Sequence, residues 1–414
     1  MENAKPSQEN EAGNLVCAVL VLTAPPDATP PGDWYKRTLV GVPFLLRNLL
    51  NLQKGGVQRI VIYHPEDFSS DGDPLRSLAG DSRIQCPVDW ITGDEALAAI
   101  LQDGSCRLVV NGTVVHDQAD VAAILSGTLD PERGQAIGHQ TVSRESARQR
   151  IEAFDPSVEI AEVSPGEPHS GIDVFSGGPE TRVRRETDFK VQRERLLTQG
   201  GMASDSFMDR WVSRFFSRQF TRLLIDTQVT PNQITWVHMI LGFGSAGFFY
   251  LGTYSMVVVG AVLLMVSAWL DATDGEVARL RFQQSRFGML LDIIGDNVVH
   301  WAVFLGIGWG VAGMTDNVIY KYCGVLSVIG AMASFGLLEA SVFKKRSGEE
   351  YESSGWEDEL ANRDFLYFLF VMALLNLLNI FIMITAVGSI GFAGYILYKK
   401  NTSSRAGSRN ILKR

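Results

Sequence analysis

From Asn232 to about Tyr398 the chain is a series of long apolar runs separated by short polar joints, and this pattern leaves few folds open. In hydrocarbon every backbone N–H and C=O must be paired internally, so runs of this length have to be bilayer-spanning helices. A span needs roughly 20 apolar residues. Six candidates meet or approach that length, near 232–252, 254–271, 288–311, 317–343, 361–377 and 379–398. The last two share a narrow joint around Asn376 and Asn379 and read as a helical hairpin.

Six crossings return the chain to the side from which it entered, and Lys and Arg select that side. Arg279, Arg281 and Arg286 lie in the joint 272–287, Lys344, Lys345 and Arg346 follow the fourth span, and the tail 401–414 is basic. The joints on the opposite face carry no Lys or Arg. The expectation is a multi-pass membrane protein of a bacterial or archaeal plasma membrane, with the N-terminal half and the tail cytoplasmic. Ahead of the first span, within a juxtamembrane segment 205–228, residues 207–224 have amphipathic spacing. Arg210, Arg214, Arg218 and Arg222 fall on one side and Val212, Phe216, Phe220 and Leu223 on the other, the pattern of a helix lying among lipid headgroups.

The N-terminal half has a different composition. Residues 1–14 are polar and lack an apolar signal-peptide core, so they read as a disordered N-terminus. From 15 to 200 strands alternate with helices, which predicts a three-layer α/β domain of Rossmann-like type. Expected strands are 15–23, 58–63, 84–91 and 107–111, with helices at 43–54, 94–102 and 118–126; the stretch 128–206 reads as the domain's end plus a linker. The four cysteines, Cys17, Cys86, Cys106 and Cys323, have no metal-site spacing and fit a reducing compartment. A net charge of -9 argues against nucleic acid as a partner.

Lys36 and residues 41–63 (GVPFLLRNLLNLQKGGVQRIVIY) resemble the part of sugar-phosphate nucleotidyltransferases that follows their glycine-rich loop. Where those enzymes have glycines that close backbone N–H groups around phosphate, this chain has Ala24-Pro25-Pro26-Asp27. Their metal-binding aspartate is replaced by Gly112-Thr113. The resemblance therefore implies a degenerate, disarmed nucleotidyltransferase domain; the alternative is a bifunctional enzyme whose N-terminal domain also makes the CDP-alcohol.

The segment 271–296, DATDGEVARLRFQQSRFGMLLDIIGD, carries the chemistry. Asp271 and Asp274 stand three apart and Asp292 and Asp296 four apart, so each pair shares a helix face, and one short loop makes the two helices neighbours. Four carboxylates at a membrane edge repel one another unless cations neutralise them. Hard oxygen donors select Mg²⁺ or Mn²⁺, and four carboxylates around two ions suit a diphosphate.

The spacing D-x-x-D-G-x-x-A-R-x(8)-G-x-x-x-D-x-x-x-D, met by Asp271, Asp274, Gly275, Ala278, Arg279, Gly288, Asp292 and Asp296, resembles the signature of the CDP-alcohol phosphotransferases. Thr230-Pro231-Asn232 is similar to that family's lead-in to its first span, and the resemblance covers about 205–400, the six-span domain being 229–400. Combined with the N-terminal half, the layout is similar to bifunctional proteins that make di-myo-inositol phosphate phosphate. The resemblance implies transfer of a phospho-alcohol from a CDP-alcohol donor to a hydroxyl acceptor, with loss of CMP. It implies Asp271, Asp274 and Asp292 as metal ligands, Asp296 as general base beside the metals, and Gly275, Ala278, Arg279 and Gly288 around the CDP group. Arg363, Lys344 and Lys345 are candidates for an acceptor phosphate. His300 reads as a packed interior residue. Homodimerisation is left open, and the competing reading is a silent CDP-alcohol-binding scaffold.

Overall fold

The structure is a computed structural model and describes residues 16–23, 29–64, 72–102, 105–152, 154, 171–178, 180–199, 209–346 and 364–411. Contacts divide the chain into two units, Met1–Leu197 and Thr198–Arg414. The N-terminal residues 1–14, the Ala24–Asp27 segment and Arg363 lie outside the described residues.

The first unit runs β1 (Cys17–Val21), α1 (Pro31–Lys36), β2 (Thr38–Leu39), β3 (Val42–Pro43), α2 (Phe44–Lys54), β4 (Arg59–His64), α3 (Gly72–Ala79), β5 (Val88–Thr92) and α4 (Asp94–Gln102). It continues through β6 (Cys106–Asn111), α5 (Gln118–Ser126), α6 (Pro131–Ile137), β7 (His139–Val142), α7 (Arg144–Glu152), β8 (Ile172–Phe175) and α8 (Glu186–Gln199). Six strands form one sheet in the order β5-β4-β1-β6-β8-β7, parallel except for β7 against β8. β1 (CAVLV) is buried along its whole length because it lies between β4 and β6, with Val19 opposite both Val61 and Val109. A strand buried on both faces reads as a continuous apolar run, which is why it was legible.

The expected early strands and helices are present, with β5 starting at Val88 rather than near 84. The stretch expected to be the domain's end plus a linker instead supplies two sheet strands and three helices among the described residues between 128 and 199. These elements are short and polar, so hydropathy alone does not mark them; β7 is an edge strand whose exposed residues dilute its alternation.

The second unit begins with a single π-helical turn, Asp209–Ser213, that runs into α9 (Arg214–Leu224). Five long helices and one short one follow: α10 (Pro231–Leu251), α11 (Tyr254–Leu280), α12 (Arg286–Thr315), α13 (Ile319–Arg346), α14 (Asp364–Leu374) and α15 (Leu378–Ile411). Thr230 and Gln233 form a reciprocal capping box, with Pro231 in the first turn, and this fixes where α10 starts. Among the described residues, five helices are long and apolar enough to cross a membrane. The expected fifth span, 361–377, is only the short apolar helix Phe365–Leu374 among the described residues. Asn376, at φ 58°, ends it in a left-handed turn that leads into α15.

The bundle core packs Phe249, Leu264, Val303, Ile307, Leu369 and Phe381 together. Helices α10 and α12 touch backbone to backbone, since a Cβ on Gly310 would overlap the Phe249 carbonyl and one on Gly306 the Ala246 carbonyl. Small residues at such contacts drive helix association in lipid, where the hydrophobic effect between helices is absent.

Within the amphipathic segment 207–224, Arg214 departs from the expected outward-facing row of arginines. Arg214 is buried and ion-paired with Glu276 of α11, and Ser217 and Thr221 on the same side donate to that carboxylate at 2.9 and 2.6 Å. Trp211, Phe215 and Leu223 are the exposed ones, at 73, 60 and 72%. Arg214, Ser217 and Thr221 face protein because a buried acid on α11 attracts them, while Arg218 and Arg222 are half-buried.

Candidate functional site

Helix α11 has 27 residues and is about 40 Å long, more than the ~30 Å hydrocarbon thickness, so its end carrying Asp271 and Asp274 reaches the interface. Asp292 lies about 9 Å into α12 from its start at Arg286. Ser285 caps that start by accepting the Gly288 N–H at 3.0 Å. The loop 281–285 is anchored by Arg281, whose guanidinium is buried and donates to the carbonyls of Leu224, Ile225, Thr227 and Val229. That cradle ties the α9–α10 connection to the α11–α12 turn, and so fixes three helix ends around one cleft.

One ligand atom from each of Asp271, Asp292, Asp296 and His238 of α10 lies within 4.8 Å of the other three. Asp271 and His238 are buried, Asp292 and Asp296 half-buried. His238 Nε2 stands 3.5 Å from Asp271 Oδ1 and 3.9 Å from Asp274 Oδ2. Asp274 is also buried, is within electrostatic reach of the other three aspartates, and accepts a hydrogen bond from the Thr235 hydroxyl. The two helix-face pairs therefore converge on one place. Oxygen donors with a single imidazole are a donor set that a divalent cation fits.

Gly275 sits under the Arg279 guanidinium, 3.1 Å from where a Cβ would stand, so a side chain there would push Arg279 away. A Cβ on Gly288 would come within 2.8 Å of Asn232 Oδ1, so this glycine admits the Asn232 side chain from α10. Ala278 and Arg279 are half-buried on α11. A cavity of about 20 Å³ lies beside the carboxylates, lined in part by His238, Ser267, Asp271, Asp296 and His300. His300 thus borders the cleft, and its ring meets Phe365 edge-on at 5.1 Å. Lys344 and Lys345 fall in the last turns of α13, and their side chains lie outside the described ones, as does all of Arg363.

Sequence reasoning missed His238 and Thr235. Their signal was present: two polar residues three apart on one helix face inside an apolar span, which in a membrane marks an inward-facing function.

Residues 228–392 match the CDP-alcohol phosphatidyltransferase family. This stretch is a CDP-alcohol phosphatidyltransferase domain. The transferase domain contains α10, α11 and α12, the three helices that bring His238 and the four aspartates together. The chain is 31% identical over 38% of its length to a "Bifunctional IPC transferase and DIPP synthase" of Aquifex aeolicus, covering 32% of that protein. It is 32% identical to an "Archaetidylinositol phosphate synthase" of Pyrococcus horikoshii over 22% of this chain and 46% of that one. A "Phosphatidylinositol phosphate synthase" of Corynebacterium glutamicum is 36% identical over 21% of this chain and 39% of its own. The chain thus spans about a third of the length of the first of these curated relatives.

In the first unit, the chain makes close contacts with itself at the ends of β1 and β6. The Tyr35 hydroxyl donates to the Thr23 carbonyl and accepts the Thr23 N–H, both at 3.1 Å, at the end of β1. A Cβ on Gly112 would lie 2.7 Å from the Val21 carbonyl, so β6 can turn this close to β1 only with glycine there.

Proposed function

We propose that the transferase domain moves a phospho-alcohol group from a CDP-alcohol to a hydroxyl acceptor and releases CMP. The observation that carries the reading is the convergence of Asp271, Asp292 and Asp296 within 4.8 Å, inside the stretch that matches the family. Divalent ions, Mg²⁺ or Mn²⁺ and two in number, would neutralise the donor's diphosphate when bound. Asp271, Asp274 and Asp292 hold that charge in place, and Thr235 fixes the rotamer of Asp274 by its hydrogen bond. Asp296 accepts the proton of the attacking hydroxyl, a role that suits its half-buried position open to an incoming acceptor. Arg279, lying over Gly275, offers a fork to a phosphate oxygen, and Gly275, Ala278 and Gly288 line the CDP side. With positioning and charge neutralisation supplied, phosphoryl transfer needs little else from the protein.

The relatives' names point to inositol phosphates, so the proposed acceptor or donor alcohol is of that class, with Arg363, Lys344 and Lys345 as acceptor-phosphate candidates. The same reading puts the N-terminal unit and the basic tail on the cytoplasmic side, which the arginine-rich joints support.

The test is CMP release by the purified full-length chain with Mg²⁺, given CDP-diacylglycerol or CDP-inositol together with inositol phosphate or glycerol phosphate. Wild type releases CMP and Asp296→Asn does not. A folded wild type that releases none from any donor would falsify the reading.

A further inference from the structure

Building on the proposed metal site, we infer that His238 is itself a ligand of the divalent ion, so that the first membrane helix supplies a nitrogen donor and biases the site toward Mn²⁺ over Mg²⁺. Helix α10 approaches closely because Gly242, one turn beyond His238, leaves no side chain between it and α12: a Cβ there would overlap Val299. The Ser267 hydroxyl donates to the His238 carbonyl at 2.7 Å and fixes this turn of α10 against α11. The buried imidazole is thereby held with Nε2 beside the carboxylates.

The distances suit donors gathered around a shared ion. His238 Nε2 stands 3.5 Å from Asp271 Oδ1 and 3.9 Å from Asp274 Oδ2. Donors around one ion at bond lengths of about 2.1 Å stand roughly 3 Å apart when adjacent and roughly 4.2 Å when opposite. A group whose members all lie within 4.8 Å needs only small side-chain adjustments to reach that arrangement. An imidazole nitrogen is a poor partner for Mg²⁺, which prefers oxygen and water, and a better one for first-row transition ions. His238 thus acts as a specificity-determining ligand. Its role goes beyond the four aspartates of the sequence pattern.

Mn²⁺ is the probe, bound to the full-length chain in detergent or nanodiscs without substrate. Pulsed EPR of the Mn²⁺ complex is expected to show modulation from a directly bonded ¹⁴N. That signal should convert to a ¹⁵N coupling when only the histidines are ¹⁵N-labelled. It should vanish in His238→Gln and persist in His300→Gln. The preference for Mn²⁺ over Mg²⁺, read as a ratio of dissociation constants, should fall by about tenfold or more in His238→Gln.

Bound Mn²⁺ that Asp292→Asn removes but that shows no histidine nitrogen would overturn the inference while leaving the carboxylate site intact. A histidine coupling that survives His238→Gln, or is lost in His300→Gln, would overturn it as well. Wild type that binds no Mn²⁺ would sink the proposed metal site first, and the inference with it. If His238→Gln does not fold, labelled His300→Gln decides alone: a retained coupling supports His238.

Discussion

At the C-terminal edge of the sheet, buried Asn48, Asn51 and Asn111 are neutral and direct their hydrogen bonds to nearby chain. Asn48 donates to the Gly112 carbonyl at 3.0 Å, Asn51 to the His116 carbonyl at 2.6 Å, and Asn111 accepts the N–H and hydroxyl of Thr113. The cleft of the transferase domain instead gathers three carboxylates and an imidazole within 4.8 Å. Like charges about 4 Å apart repel by about 4 kcal/mol even at an effective dielectric of 20, so that group asks for a cation from outside. The first cluster is uncharged and bonds mostly to its own chain, with the buried Asn48 Oδ1 left without a partner, whereas the second concentrates charge that a cation would offset. The same distinction separates a structural polar network from a reactive one.

The strongest way to break this contrast is to remove one charge from the cleft. Asp296→Asn should lower CMP release by about 10²–10⁴-fold, the span expected for loss of a general base, with thermal unfolding of the domain little changed. A large fall in stability with activity retained would assign the cleft to the structural kind. Next in size is Glu276→Ala, which leaves Arg214 buried without its ion pair and removes the acceptor for Ser217 and Thr221. The expected loss is about 3–5 kcal/mol, measured as a lower unfolding temperature in detergent. Glu276→Gln should lose less, since it still accepts from the hydroxyls. Equal effects would mean that the charge contributes little to the clamp.

How far the sequence could be read follows from how local each signal was. The aspartate spacing was legible because i, i+3 and i, i+4 place residues on one helix face regardless of context, and β1 because full burial writes an uninterrupted apolar run. His238 showed only as a polar residue three after Thr235 in an apolar span; its partners lie on α11 and α12, and no spacing along α10 reveals them. Arg214 was misread for the same reason: taken alone, an arginine on an amphipathic helix belongs outside, and only Glu276, 62 positions later, reverses that. The region after 128 was illegible because short polar elements such as β7 are held by sheet pairing rather than by periodic apolar residues. Span five reads long on hydropathy, yet its helix ends at Leu374, two residues before the left-handed Asn376.

A smaller effect distinguishes the clusters by pH. Burial pushes the His116 imidazole down from 6.5 to about 3, so it stays neutral in the folded unit. Between those values the unfolded chain binds a proton that the folded one does not. Stability therefore falls as pH drops from about 6.5 toward 3, and this penalty is absent above 6.5. Acid unfolding followed by circular dichroism should show that slope for wild type and a flatter one for His116→Leu. Identical acid limbs would show that His116 does not set them.

The mildest test concerns Tyr35, buried at the end of β1. Burial raises its phenol well above the usual range, so it remains a donor to the Thr23 carbonyl at any working pH. Tyr35→Phe removes both bonds to Thr23 but keeps the ring stacked on Phe44, so the loss should be only about 1–2 kcal/mol in chemical unfolding. The informative readout is activity. If this edge is a structural network, neither wild type nor Tyr35→Phe converts CTP and inositol 1-phosphate to CDP-inositol and pyrophosphate, and the variant releases CMP from a CDP-alcohol as fast as wild type. CDP-inositol formed by wild type would make the sheet edge a second reactive cleft despite its neutral residues. The contrast between the two units would then reflect which substrate each accepts, and not whether its polar groups concentrate charge.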